Sequence, residues 1–142
     1  MTDDTKPTQV HTVRAPRSPG VGGPPSIILL HGVGANETSL LSLTDELDPR
    51  FQIISVRAPI EIRPGGYGFF RVQFAPEPVI VPHEAEASRV TLTRFIPDLV
   101  QRYVLDPRRV FLLGFSQGAI IAASVADTVE LWDIFQGEKV GG

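Results

Sequence analysis

The stretch VFLLGFSQGAIIA, residues 110–122, joins a branched apolar run to a small-residue apolar run through Gly114-Phe115-Ser116-Gln117-Gly118. Few arrangements satisfy it. A short apolar run followed at once by an alanine-rich one requires a strand, a sharp turn and a helix in direct succession. Glycines flanking Ser116 let the chain pass closely on both sides of that turn, because a Cβ would obstruct the approach. In this context G-x-S-x-G reads as a nucleophile elbow, which lifts a serine hydroxyl clear of the end of a sheet. Residues 110–126 carry no charge over 17 positions, close to the ~18 that would suggest a membrane span. Gly114, Ser116, Gln117 and Gly118 at the centre favour strand, turn and helix instead.

Two earlier runs fit the same architecture. SIILLHG, residues 26–32, has four consecutive branched residues ended by glycine, the pattern of a parallel strand buried on both faces. FQIISVRAP, residues 51–59, is a second such strand, closed by a proline. Leucines at 40, 43 and 47 predict a helix over 36–47, capped at Asn36 or Thr38 and stopped by Asp48-Pro49. A long Pro- and Gly-rich connection, 58–83, contains GGYGFF; such connections are usually functional or disordered. Leu92, Ile96, Leu99 and Tyr103 share a helical stripe over about 84–105, with Pro97 predicting a kink or break. The alternation implies an α/β fold with three layers around a parallel central sheet.

The remaining sequence sets limits. With 142 residues, 42% hydrophobic and 20% charged, the chain suits one domain or part of one. Net charge is −3 with no basic stripe, so nucleic acid is not an expected partner, and no membrane span is expected. The absence of cysteine excludes disulfides, thiolate metal sites and a cysteine nucleophile. Residues 1–25 hold five prolines, lack the apolar core of a signal peptide and read as a mobile segment, with a short alternating piece at Val10–Val13 as an edge strand. A cytoplasmic location is the expectation.

A strand ending in Leu30-His31-Gly32-Val33-Gly34 can aim a backbone N–H at a developing oxyanion. Val33 is placed to donate it, and Gln117, next after the serine, supplies the other donor. His31 at the strand end reads as a brace for the loop rather than a base. His83 reads as solvent-facing or capping, His11 as part of the mobile lead, and Glu84 and Glu86 as favouring a helix N-terminus. No metal-ligand spacing and no cofactor motif appear.

Together, ILLHGVGANETSLLSL, RAP, GGYGFF and DPRRVFLLGFSQGA resemble the carboxylesterase and acyl-protein thioesterase (phospholipase/carboxylesterase) family of α/β-hydrolases, over about residues 26–126. The resemblance implies Ser116 as nucleophile, Val33 and Gln117 as oxyanion donors, His31, Gly32, Gly34, Gly114 and Gly118 as supporting motif residues, and Phe69 and Phe70 towards an acyl pocket. It also implies a small-molecule acyl ester or thioester as substrate. In such enzymes the acid and histidine follow the serine along the chain. No histidine follows Ser116 here, and Asp127 and Asp133 fall within or just after the elbow helix. The expectation is therefore an α/β-hydrolase fold truncated after that helix, with a mobile segment at 1–25, a partial domain at 26–126, a non-matching tail at 127–142, and little activity as it stands. A non-catalytic relative binding an acyl chain or a protein partner, and an acyltransferase, stay open as alternatives; the oligomeric state is open.

Overall fold

In the computed structural model, residues 9–73, 76–77, 79–129, 132–133 and 138–139 are described. Strand β1 (His11–Arg14) precedes β2 (Ser26–Leu30), a 3-10 helix (Leu41–Glu46) and β3 (Gln52–Val56). Two small hairpins follow, β4 (Ile60–Arg63) with β5 (Gly66–Gly68), and β6 (Val72–Gln73) with β7 (Val79–Ile80). Helix α1 (Pro82–Tyr103), strand β8 (Val110–Gly114) and helix α2 (Gln117–Val129) complete the main body. A two-residue ladder, β9 (Trp132–Asp133) with β10 (Glu138–Lys139), lies beyond it.

The central sheet runs β1-β3-β2-β8. Strand β2 lies between two parallel neighbours, Ile28 standing opposite Ile54 on one side and Leu112 on the other. All five β2 residues are buried, as a strand covered on both faces demands. The connection from β2 to β3 moves to one side of β2, and the connection from β3 to β8 moves back past it. Crossovers of the same hand in opposite directions must cover opposite faces. Accordingly, Ile28, Leu30, Ile54 and Val56 pack against Leu92, Phe95, Ile96 and Leu99 of α1 and Ile121 and Val125 of α2. Ile27, Leu29 and Ile53 pack on the other face against Leu40, Leu47 and Phe51 around the 3-10 helix. Each fully buried side chain of this kind contributes roughly 1.5–3 kcal/mol. Strand β8 has β2 as its sheet partner, and Phe111 and Leu113 are exposed on the second face.

Several expectations need correction. The sheet is mixed, because β1 pairs antiparallel with β3, Thr12 opposite Ser55. The edge strand expected at Val10–Val13 forms as β1, and His11, expected in a mobile lead, lies within it. Its Nδ1–H donates to the Gln9 carbonyl at 2.9 Å and its Nε2 accepts from the Tyr103 hydroxyl at 2.8 Å. Residues 36–47 do not form an α-helix. Asn36 Oδ1 accepts from the Thr38 N–H at 2.9 Å, and this local turn competes with helical bonding at the start, leaving a short 3-10 piece. Pro97 sits inside a helix that continues through it. The described part of the 58–83 connection carries the β4–β5 and β6–β7 strand pairs, and α2 continues to Val129.

Candidate active site

The elbow forms where β8 leaves the sheet. Phe115 N–H donates to the Leu30 carbonyl at 3.0 Å, holding the strand end against β2, and the Ser116 carbonyl accepts from Ala119 N–H at 2.9 Å to begin α2. Between them Ser116 takes a left-handed conformation, φ +56°, which costs a non-glycine residue about 1–2 kcal/mol. The flanking glycines are obligatory: a Cβ on Gly114 would overlap the Gly118 carbonyl, and one on Gly118 would overlap the Leu30 carbonyl. Ser116 is exposed, and its hydroxyl bonds to nothing among the described residues.

The Leu30–Gly34 loop lies against this turn. A Cβ on Gly32 would stand 3.5 Å from Ser116 Cβ and 3.4 Å from the Phe115 carbonyl. Val33 and Gln117 border a common point, since a Cβ on Gly68 would meet Val33 Cγ2 at 3.1 Å and Gln117 Oε1 at 3.3 Å. The backbone N–H groups of Val33 and Gln117 have no acceptor among the described residues. By contrast Gly34 N–H donates to the Tyr67 carbonyl at 2.8 Å, and Tyr67 N–H returns the bond to Ala35 at 2.7 Å. The 33–35 loop is thus pinned to the β4–β5 hairpin.

His31 is fully engaged elsewhere. Nδ1–H donates to the Gly32 carbonyl at 2.7 Å, and Nε2 accepts from Ala58 N–H at 2.9 Å. The network fixes the tautomer and leaves no lone pair for a proton from Ser116. Burial pushes the His31 pKa down, keeping the ring neutral, against a smaller upward influence of its bond to Gly32. His83 is exposed in the first turn of α1. Asp127 lies ten residues along α2 from Gln117, about 15 Å up the helix axis. Phe69 and Phe70 are 1% and 2% exposed within the main core, and Phe69 packs on the His31 ring.

Four side-chain arrangements go beyond what the turn motifs specify. Gln117 Oε1 accepts from Phe69 N–H and its Nε2 donates to the Phe70 carbonyl, each at 2.7 Å and buried. Ser88 of α1 donates to the Phe69 carbonyl at 2.6 Å, so both helices grip the same loop. Arg57 meets Glu37 in a two-pronged bond, at 2.8 and 2.6 Å, and lies over the Tyr67 ring at 4.5 Å. The Arg57 hydrogen bonds pull the Glu37 pKa down. Arg63, on β4, reaches back to the Gly34 carbonyl. The signals, in retrospect, were the arginine of R-A-P and the glutamine of G-F-S-Q-G. Among the described residues no group of three or more His, Cys, Asp or Glu comes together to hold a metal, and no helix is long and apolar enough to cross a membrane.

The loops that meet at Ser116 leave the carboxyl ends of adjacent parallel strands, the usual location of a ligand crevice in an α/β sheet. Known proteins share this framework. The sequence profile of the alpha/beta hydrolase family matches residues 27–138. MhqD of Bacillus subtilis (strain 168), named as a hydrolase, is 33% identical over 99 residues, covering 70% of this chain and 48% of its own length. The protein azaC of Aspergillus niger, named as an esterase, is 30% identical over 115 residues, covering 71% and 44%. The Bacillus cereus carboxylesterase structure superposes with a TM-score of 0.70 at 27% identity, over 83% of this chain and 53% of that one. The chain spans about half the length of the curated relatives it matches. The profile match takes in the parallel strands, the elbow and both helices, and this chain belongs to the alpha/beta hydrolase family.

Proposed function

We propose that Ser116 is the nucleophile of a serine hydrolase site acting on an acyl ester or thioester. The observation that carries this reading is the left-handed Ser116, held in a strained turn by two glycines that admit no side chain. Strain of this kind persists only where the surroundings impose it, and it leaves the hydroxyl exposed. In the reaction the Ser116 oxygen adds to the acyl carbonyl while its proton passes to a base. Val33 N–H and Gln117 N–H receive the oxyanion, the alcohol or thiol leaves with a proton, and water then releases the acid from Ser116.

The base is supplied from outside the described residues. Both nitrogens of His31 are committed, and no other imidazole or carboxylate bonds to the Ser116 hydroxyl. In a comparable serine enzyme, loss of the histidine costs about 10⁶ in turnover, while binding and the oxyanion donors retain ~10³–10⁴ over water. That bare hydroxyl also favours a second reading, in which the chain is a non-catalytic relative that binds an acyl chain or a protein partner.

Imidazole rescue separates the two. The 142-residue chain and its Ser116→Ala variant are compared on p-nitrophenyl butyrate over a series of imidazole concentrations. The expected result is near-equal rates without imidazole and a Ser116-dependent excess that rises with it. Equal rates at every concentration would leave only the non-catalytic reading. An ordinary esterase rate without imidazole would show that a base is present within the chain.

A further inference from the structure

Beside Val33 lies a recess whose side chains take no part in the proposed acyl chemistry. It is an open cleft of about 400 Å³ between residues 33–36 and 63–65, with Ser39 at its border. Its polar groups are unevenly used. Arg63 Nε and Nη2 donate to the Gly34 carbonyl at 3.3 and 3.0 Å, which orients the guanidinium, and the rest of its fork makes no ion pair or hydrogen bond among the described residues. The arginine stem lies flat on Gly66, where a Cβ would come within 2.8 Å of Arg63 Cγ. Asn36 spends its carbonyl oxygen on the Thr38 N–H and hydroxyl and gives Gly65 only one amide hydrogen. Ser39 accepts from Asn36 N–H at 3.0 Å, and its own hydroxyl hydrogen has no acceptor among the described residues.

The Gly34, Ala35, Asn36 and Gly65 carbonyls and the Asn36 side-chain oxygen are occupied, while donors remain from Arg63, Asn36 and Ser39. Such a surface suits a planar or tetrahedral oxyanion, and a guanidinium fork matches either geometry. Of the acids nearest the cleft in sequence, Glu37 is buried and already paired with Arg57, and Glu61 is exposed on β4. Gly34 is two residues from Gly32, which touches the elbow, so the cleft begins within about 7 Å of Gly32.

We propose that this cleft binds an anionic group, a carboxylate or a phosphate, with Arg63 as the principal contact and Ser39 and Asn36 as supporting donors. The cleft as an anion site stands on its own geometry; that the anion belongs to the substrate rests on the hydrolase reading, and implies an ester carrying a negative charge a few bonds from its carbonyl.

The test titrates inorganic phosphate, and separately succinate, into the ¹⁵N-labelled 142-residue chain at constant ionic strength, following the Ser39 and Gly65 amides. Saturable shifts with a Kd of ~1–10 mM are expected, weakened about tenfold or more in Arg63→Ala and less in Arg63→Lys, which keeps charge without the fork. Tighter succinate identifies a carboxylate site, and tighter phosphate a phosphate site. Ser39→Ala provides a second variant, with a smaller weakening expected. Shifts that never saturate, or Kd values unchanged in the Arg63 and Ser39 variants, overturn the proposal. In the imidazole-supported assay, p-nitrophenyl hemisuccinate is expected to outpace p-nitrophenyl butyrate, with the ratio falling towards one in Arg63→Ala. Anion binding with no Ser116-dependent turnover of either ester refutes the hydrolase reading and leaves the anion site standing. Ser116-dependent turnover without anion binding refutes the anion site alone.

Discussion

Replacing Gln117 tests how the elbow and the 69–70 loop are joined. The Gln117 amide is buried and closes two bonds of 2.7 Å, to Phe69 N–H and the Phe70 carbonyl. Gln117→Ala leaves a buried donor and a buried acceptor without partners, each costing about 1–3 kcal/mol, less where water enters the space. A loss of about 3 kcal/mol is expected. With a urea slope of about 2 kcal/mol per molar, the unfolding midpoint followed by far-UV circular dichroism falls by ~1.5 M. Gln117→Glu adds a sharper test. A protonated carboxyl offers one acceptor and one donor, as the amide does, whereas the ionised form turns a negative oxygen towards the Phe70 carbonyl. Burial and that contact raise the folded-state pKa of the introduced carboxyl above its unfolded value. The variant is therefore closest to the parent at low pH and loses stability as pH rises. A destabilisation under ~1 kcal/mol in Gln117→Ala, together with no dependence on pH in Gln117→Glu relative to the parent, would refute the clamp.

Other consequences follow from the same geometry. Gly118→Ala forces a methyl group into the Leu30 backbone, and an unfolded or insoluble chain by circular dichroism is expected; a native-like spectrum and midpoint would contradict the packing. Val104 caps α1 with φ +52°, a conformation that a branched residue adopts at a cost, so Val104→Gly is expected to raise stability by about 0.5–1 kcal/mol in urea unfolding. Burial lowers the His31 pKa beneath its ordinary 6.5, so the unfolded chain binds the proton more readily below that pH. Stability should fall as pH drops through that value, and His31→Gln should flatten the slope, measured as urea midpoints from pH 8 to 5.

The parts of the fold that sequence made legible are those with a local cause. Branched runs at 26–30 and 52–56 read as buried parallel strands because both faces of each are covered. The strand at 110–114, with glycines around Ser116, read as an elbow because steric crowding leaves no other residue at Gly114 or Gly118. Leucines at 40, 43 and 47 misled, since a 3-10 turn started by Asn36 buries Leu40 as readily as an α-helix would. The pairing of His11 with Val56 depends on a partner 45 positions away, which no local pattern announces. For the site, backbone donors could be named from turn motifs, whereas the Gln117 clamp spans 47 and 48 positions and the Glu37–Arg57 pair spans 20. Phe69 and Phe70 show the limit most plainly. An aromatic pair beside glycines reads equally well as pocket wall or core, and here the pair packs against α1 and His31.

The most direct measurement is peptide mass spectrometry of the chain after reaction with p-nitrophenyl butyrate in imidazole and an acid quench. p-Nitrophenolate is a far better leaving group than the serine alkoxide, so acyl transfer to Ser116 should outrun its hydrolysis and the intermediate should accumulate. The expected result is one butyryl group on the peptide bearing Ser116, absent from Ser116→Ala. No adduct at Ser116, or the same adduct pattern in both proteins, would contradict its assignment as nucleophile.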